Sequence, residues 1–124
     1  MEVMELLDIK NQANELAISL PYGTQRRVEI ARALATEPKL LLLDEPAAGL
    51  NEVETLELAQ ILDTIHQSGV TILLVEHDMK LVMEDCQVIT VIDYGKKIAE
   101  GDCDFVRNNP RVIEAYLGKE EDLC

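Results

Sequence analysis

Two apolar runs, Leu40–Leu43 and Val70–Val75, constrain this chain most, because of what separates them. Residues 52 to 68 place Leu58, Ile61, Leu62 and Ile65 on one helical face. Asn51 followed by Glu54 has the form of a capping box at the start of that helix, and Gly69 supplies its stop. A strand, a helix of crossover length and a second strand make the two strands parallel. Runs without polar alternation read as strands buried on both faces. Leucine also suits helices, but Pro38 and Pro46 on either side of the first run argue against a longer helix.

Both runs end in residues with chemical potential. Asp44 and Glu45 follow the first, at the carboxyl end of a strand, where open α/β sheets place their ligands. Two adjacent carboxylates suit a division of labour in phosphoryl transfer: one holds a magnesium shell, the other orients or deprotonates the attacking water. Glu76-His77-Asp78 follows the second run, so parallel strands would bring His77 to the same sheet edge. Upstream, Pro21-Tyr22-Gly23 leads into a helix beginning near Thr24, with Val28, Ile30, Ala31 and Leu34 on its apolar face. Gly23 lets a ligand approach the backbone, and the N–H groups of a helix start attract anions. Taken singly, each feature has a plain structural reading: an acidic turn, an ordinary helix start, a histidine after a strand.

Together, LPYGTQRR, LLLLDEP, AAGLN and VEHD resemble the second half of an ABC-type ATP-binding cassette, over nearly the whole chain. By that resemblance Leu20, Pro21, Tyr22, Gly23, Thr24 and Gln25 form the signature motif, which faces the γ-phosphate held by an opposing subunit. Leu40 to Asp44 match the Walker B strand, with Asp44 in the magnesium role and Glu45 as general base. Ala47 to Asn51 match the D-loop at the dimer interface, with Gly49 and Asn51 near nucleotide, and His77 matches the switch histidine at the γ-phosphate. The wording is similar to the ATP-binding subunits of branched-chain amino-acid importers, above all in the tail DYGKKIAEG…RNNPRVIEAYLG. The implied fold is α/β, the C-terminal part of a P-loop NTPase domain of ABC type. Residues 1–19 would end a helical subdomain, and residues 20–124 would form one incomplete ATPase core.

The sequence departs from the family pattern at Pro21, where a serine is common, at Glu52, where a proline is usual, and at Gln87, where an aspartate is expected. With no hydroxyl at position 21, backbone amides and the helix dipole must carry the phosphate contact. A P-loop needs G-x-x-x-x-G-K-[ST]. The six glycines are nowhere five positions apart, and neither Gly95-Lys96 nor Gly118-Lys119 is followed by Ser or Thr. The chain therefore reads as the C-terminal portion of a longer protein, or a gene fragment, beginning in the last helical turns of the helical subdomain at residues 2–7 and 13–18. In related folds the P-loop strand lies between the equivalents of residues 70–75 and 88–93. Val88–Ile92 is thus expected to slide against 70–75 and close the gap, to pair with another chain, or to stay loose; its apolar character argues against exposure.

With 24 acidic against 11 basic residues and a net charge of −13, nucleic acid is an unsuitable partner. Cys86, Cys103 and Cys124, odd in number and widely spaced, point to a reducing compartment rather than a disulfide framework. No apolar run approaches the ~20 residues a bilayer needs. Met79–Asp85 reads as a short helix, Val88–Ile92 and Lys97–Ala99 as a hairpin turning at Asp93–Lys96, and 104–108 and 111–117 as terminal helices divided by Pro110. The resemblance implies ATP and Mg2+ as ligands, a second cassette in a head-to-tail dimer, and integral-membrane transporter subunits. The place of action is then the cytoplasmic face of the membrane, reached through those subunits. Two other functions compete. A non-catalytic module supplying only its signature face is favoured by the missing P-loop; a chromosome-maintenance ATPase would want long heptad arms before Leu20, which are absent.

Overall fold

A computed structural model of the chain describes residues 2–117. The described residues divide into two compact units, the first ending at Val75 and the second beginning at Glu76.

The first unit opens with helix α1 (Glu2–Leu6). Asp8 stops it in the left-handed region (φ 56°), with the Ile9 amide reaching back to the Met4 carbonyl and the Asp8 amide to that of Glu5. This is a Schellman ending in which aspartate takes the usual place of glycine. Helix does not resume at 13–18 as expected. Single 3-10 turns at Lys10–Gln12 and Ala17–Ser19 bridge the gap, because the Ser19 hydroxyl bonds the Leu16 carbonyl locally instead of leaving it to a longer helix. Helix α2 (Tyr22–Leu34), strand β1 (Leu40–Asp44), helix α3 (Glu52–Gln67) and strand β2 (Thr71–Val75) complete the unit. The capping box at Asn51 and Glu54 is formed, and Gly69 leaves α3 at φ 106°.

β1 and β2 pair in parallel, Leu40 opposite Thr71 through Asp44 opposite Val75. Their burial corrects the expectation of two covered faces. Leu41 lies inside, with Ile72, Leu43 and Leu74 partly covered beside it. The other face is open: Leu40, Leu42, Leu73 and Val75 are 51%, 64%, 57% and 56% exposed. The crossover helix packs on one side of the two-stranded sheet, and no described strand or helix of this unit covers the other. The core comprises Leu7, Ile9, Leu20, Ile30, Ala31, Leu34, Leu41, Leu58, Leu62 and Ile65.

The second unit contains α4 (Met79–Asp85), a hairpin of β3 (Ile89–Asp93) and β4 (Lys96–Gly101), α5 (Cys103–Arg107), and α6 (Pro110–Val112) running into a wider π turn, Ile113–Leu117. The hairpin turns through Tyr94 and Gly95, both at positive φ (47° and 76°), the signature of a type I′ turn. Met83, Ile89, Ala99, Val106 and Val112 form its core. Among the described strands β3 pairs with β4 and with no other, so of the three outcomes expected for it, sliding against 70–75 is not the one seen. Nor is its whole run hidden: Val88 is 70% and Ile92 56% exposed, because a two-stranded hairpin has a single covered face. Cys86 is a free thiol, half-buried, its pKa raised first by burial and then by the Asp85 charge. Cys103 lies beside Met83, their sulfurs 3.7 Å apart.

Candidate functional site

The site in the first unit is assembled from three loop-to-element junctions. At the first, α2 begins on Pro21, whose ring sets φ at −55° and which offers no side-chain cap. The Gln25 amide is the first to turn inward, onto the Pro21 carbonyl at 2.9 Å. An uncapped start of a 13-residue helix concentrates partial positive charge on its first amides. The Gln25 side chain faces back, donating to the Leu20 carbonyl at 2.9 Å, and so fixes the bend before the helix. Leu20 is buried and anchors that bend; Tyr22 is half-exposed, and Gly23 and Thr24 are partly covered.

The second junction is the end of β1. Asp44 is exposed on the open face of the sheet, opposite Val75. Glu45, also exposed, departs from strand geometry: its φ is 48°, and its amide donates to the Val75 carbonyl at 2.7 Å. A non-glycine residue in this region costs of order 1 kcal/mol. Pro46 disfavours the right-handed helical region at Glu45 but does not by itself favour the left-handed one. The kink falls at the second of the two adjacent carboxylates. Nothing in the sequence signals it beyond Pro46.

The third junction is the loop from Ala47 to Asn51. Two tight turns build it, Ala48 N–H to Glu45 O and Leu50 N–H to Ala47 O, each 3.1 Å, with Gly49 at φ 79°. The Asn51 side chain is committed to α3, its Oδ1 accepting from the Glu54 amide at 2.8 Å, while Glu54 Oε2 accepts from the Asn51 amide at 3.0 Å. The loop lies directly against the start of α2. A Cβ on Gly49 would stand 2.9 Å from Tyr22 Cε1, and one on Gly23 3.3 Å from Glu54 Oε1. The structure thus brings residues 22–26 together with 48–54. The sequence reading missed Arg26 in this contact; its only signal was a position one helical turn after Tyr22.

His77 belongs to the second unit, immediately before α4. Its side chain is 71% exposed, with Nδ1 3.9 Å from Glu76 Oε1, and its amide donates to the same carboxylate oxygen at 3.2 Å. The Glu76 side chain is 1% exposed. The sequence reading gave Glu76 no role, although an acid directly after a buried strand was a signal. Asp78 caps α4 through the Leu81 amide. Among the described residues no group of three His, Cys, Asp or Glu side chains stands ready to hold a metal ion.

The sequence family described as ABC transporter matches residues 1–48, and that described as branched-chain amino acid ATP-binding cassette transporter matches residues 96–122. The high-affinity branched-chain amino acid transport ATP-binding protein LivG of Escherichia coli K12 is 49% identical over 117 residues, which cover 94% of this chain and 46% of LivG. The chain belongs to the ABC ATP-binding cassette family. BraF of Pseudomonas aeruginosa, likewise named a high-affinity branched-chain amino acid transport ATP-binding protein, is 48% identical over the same share of both chains. A crystal structure of the ADP conformation of an ABC transporter's ATP-binding cassette superposes with a TM-score of 0.85 at 30% identity, covering 95% of this chain and 48% of that one. This ABC chain therefore spans about half the length of the relatives it matches. Its fold is the α/β fold of the P-loop NTPases, with parallel strands joined by a crossover helix and an antiparallel hairpin after them. Among the described residues no helix is long and apolar enough to cross a membrane.

Proposed function

We propose that this chain is the signature and Walker B portion of the ATP-binding subunit of an ABC importer for branched-chain amino acids. The observation that carries the reading is the junction of the uncapped α2 start with the 47–51 loop, beside a parallel strand ending in Asp44 and Glu45. The tail matching the branched-chain family supports the solute class. Residues 1–19 end the helical subdomain, and 20–124 belong to the ATPase core.

In this reading residues 20–25 present α2's first amides to the γ-phosphate of ATP held by a second cassette, arranged head to tail. Asp44 holds the magnesium ion; a single exposed carboxylate fits, because Mg2+ draws most of its shell from water and substrate phosphates. The ion supplies charge neutralisation on the phosphates. Glu45, at the left-handed kink after β1, takes the proton of the attacking water. His77 contacts the γ-phosphate, and Gly49 and Asn51 carry the loop across the dimer interface. Closure of the two cassettes then drives integral-membrane subunits, with this subunit peripheral on the cytoplasmic side. Nucleic acid plays no part.

The chain by itself holds nothing to keep the β- and γ-phosphates in line, so it hydrolyses no ATP alone. Joined to the upstream half of a branched-chain ABC subunit it gains hydrolysis. There Glu45→Gln traps an ATP-bound dimer, and His77→Ala slows turnover with little loss of binding. Phosphate release and nucleotide retention measure both; mutants turning over at the parental rate would overturn the roles. The second reading, a non-catalytic module lending its signature face to a partner cassette, is favoured by the absence of a P-loop motif. It predicts that the unjoined chain stimulates a partner's ATPase in trans, and that Glu45→Gln leaves this stimulation intact.

A further inference from the structure

Tyr22 and Arg26 occupy one side of α2, a helical turn apart, and both reach the loop after β1. The Tyr22 ring lies on Gly49, where an added Cβ would stand 2.9 Å from its Cε1. Arg26 stands over the same ring, its guanidinium carbon 5.1 Å from the centroid. It also donates to the Tyr22 hydroxyl, and its Nη2 reaches the Ala48 carbonyl at 3.4 Å. Its Nη1 pairs with Glu29 at 3.2 Å, which holds the guanidinium against α2. The Arg26 side chain is only 19% exposed, and its Nε is buried with no hydrogen-bond partner among the described residues. A buried cation with an unmet donor is a costly way to fill space, and it is compensated here by the ring face and the carbonyl. From the other side, the Glu54 carboxylate that closes the capping box abuts Gly23. Each glycine is thus occupied by a side chain from the opposite segment.

We propose that Tyr22 and Arg26 are positioning residues that lock the start of α2 to the 47–51 loop, so that the two move as one body. Any shift imposed on the helix start by a ligand is then delivered to the loop through the Tyr22 ring and the Ala48 carbonyl, and the reverse holds equally. The functional meaning rests on the reading of residues 20–25 and 47–51 given above. In an ABC dimer both segments would face the opposing cassette, and the lock would make phosphate engagement at one the signal for rearrangement of the other.

The test is amide hydrogen exchange on this chain without nucleotide. Arg26→Met should speed exchange at Ala48 and Leu50, whose amides close the two loop turns, by about tenfold. The amide of Leu62, within α3, should not change and reports on overall folding. Arg26→Lys, which keeps a cation over the ring, should restore most of the protection. Gly49→Ala would place its Cβ nearest to the Tyr22 ring, and should speed exchange at Gln25, whose amide bonds Pro21. In the Tyr22→Ala background that effect should vanish, a coupling that mere local loosening does not produce. Unchanged Ala48 and Leu50 exchange in Arg26→Met, or an equal Gly49→Ala effect at Gln25 with and without the ring, would overturn the lock. Either result leaves the ATPase reading standing, whereas inert Glu45→Gln and His77→Ala variants would sink that reading and leave the lock.

Discussion

The capping box at the head of α3 is the sharpest test of how local sequence holds the first unit together. Asn51→Ala removes the Oδ1 acceptor of the Glu54 amide, a 2.8 Å bond, and leaves that amide without a side-chain partner. Loss of an N-cap of this kind costs about 1 kcal/mol, within a range of roughly 0.5–2. The reciprocal bond, Asn51 N–H to Glu54 Oε2 at 3.0 Å, is backbone on one side and survives the substitution, though with a less fixed partner. The total loss should therefore be about 1–1.5 kcal/mol, an order-of-magnitude figure from the same capping data. Asn51→Asp keeps an acceptor and adds a negative charge at the helix start, so it should match the parent to within about 0.5 kcal/mol or exceed it. Glu54→Ala combined with Asn51→Ala should cost less than the two single losses together, because the two residues serve one motif. Urea denaturation followed by circular dichroism, with exchange at the Glu54 amide, reads all four proteins. An Asn51→Ala protein as stable as the parent would refute the account, as would strict additivity of the pair.

Leu41 and Leu42 adjoin on β1 but face a core and an open surface, so Leu41→Ala should cost about 2–5 kcal/mol and Leu42→Ala far less. Equal losses by denaturation would show that the open face is covered in solution. Glu100 titrates below its ordinary value, first because the Thr90 hydroxyl donates to it and second because Lys97 is near. Its depressed folded-state pKa means that its contribution is present above the unfolded value and is lost as pH falls through the folded one. Thr90→Val should move the Glu100 carboxyl signal upward in an NMR titration, and an unmoved signal would show that Lys97 alone sets it. The open face of Leu40, Leu42, Leu73 and Val75, together with exposed Val88 and Ile92, leads us to expect the isolated chain to self-associate. Sedimentation over a wide concentration range should show oligomers that Leu42→Lys weakens; a monomer throughout would refute this.

Much of the architecture was legible in residue order because it rests on local rules. Prolines at 38 and 46, apolar runs of strand length, and a capped amphipathic segment of crossover length leave a parallel pair as the economical arrangement, and that pair forms. Asp78, Asp102 and Asn109 each cap the helix that follows, and Tyr94-Gly95 makes the hairpin turn. The motif residues were equally plain, since their types and spacing alone carry the family resemblance.

What residue order did not disclose is which surfaces meet. Leu40 and Leu41 are chemically identical, yet one is open and the other buried, because burial depends on which side the crossover helix covers. β3 pairs with β4 because its hairpin partner is adjacent in sequence and closes a short loop. The left-handed backbone of Glu45 follows from the Val75 carbonyl waiting across the ladder, and the role of Arg26 from a ring and a carbonyl brought together from positions 22 and 48. Sequence by itself determined the elements and the chemical groups they carry. Tertiary structure alone decided their directions and contacts, because those depend on groups distant along the chain that meet only when it folds.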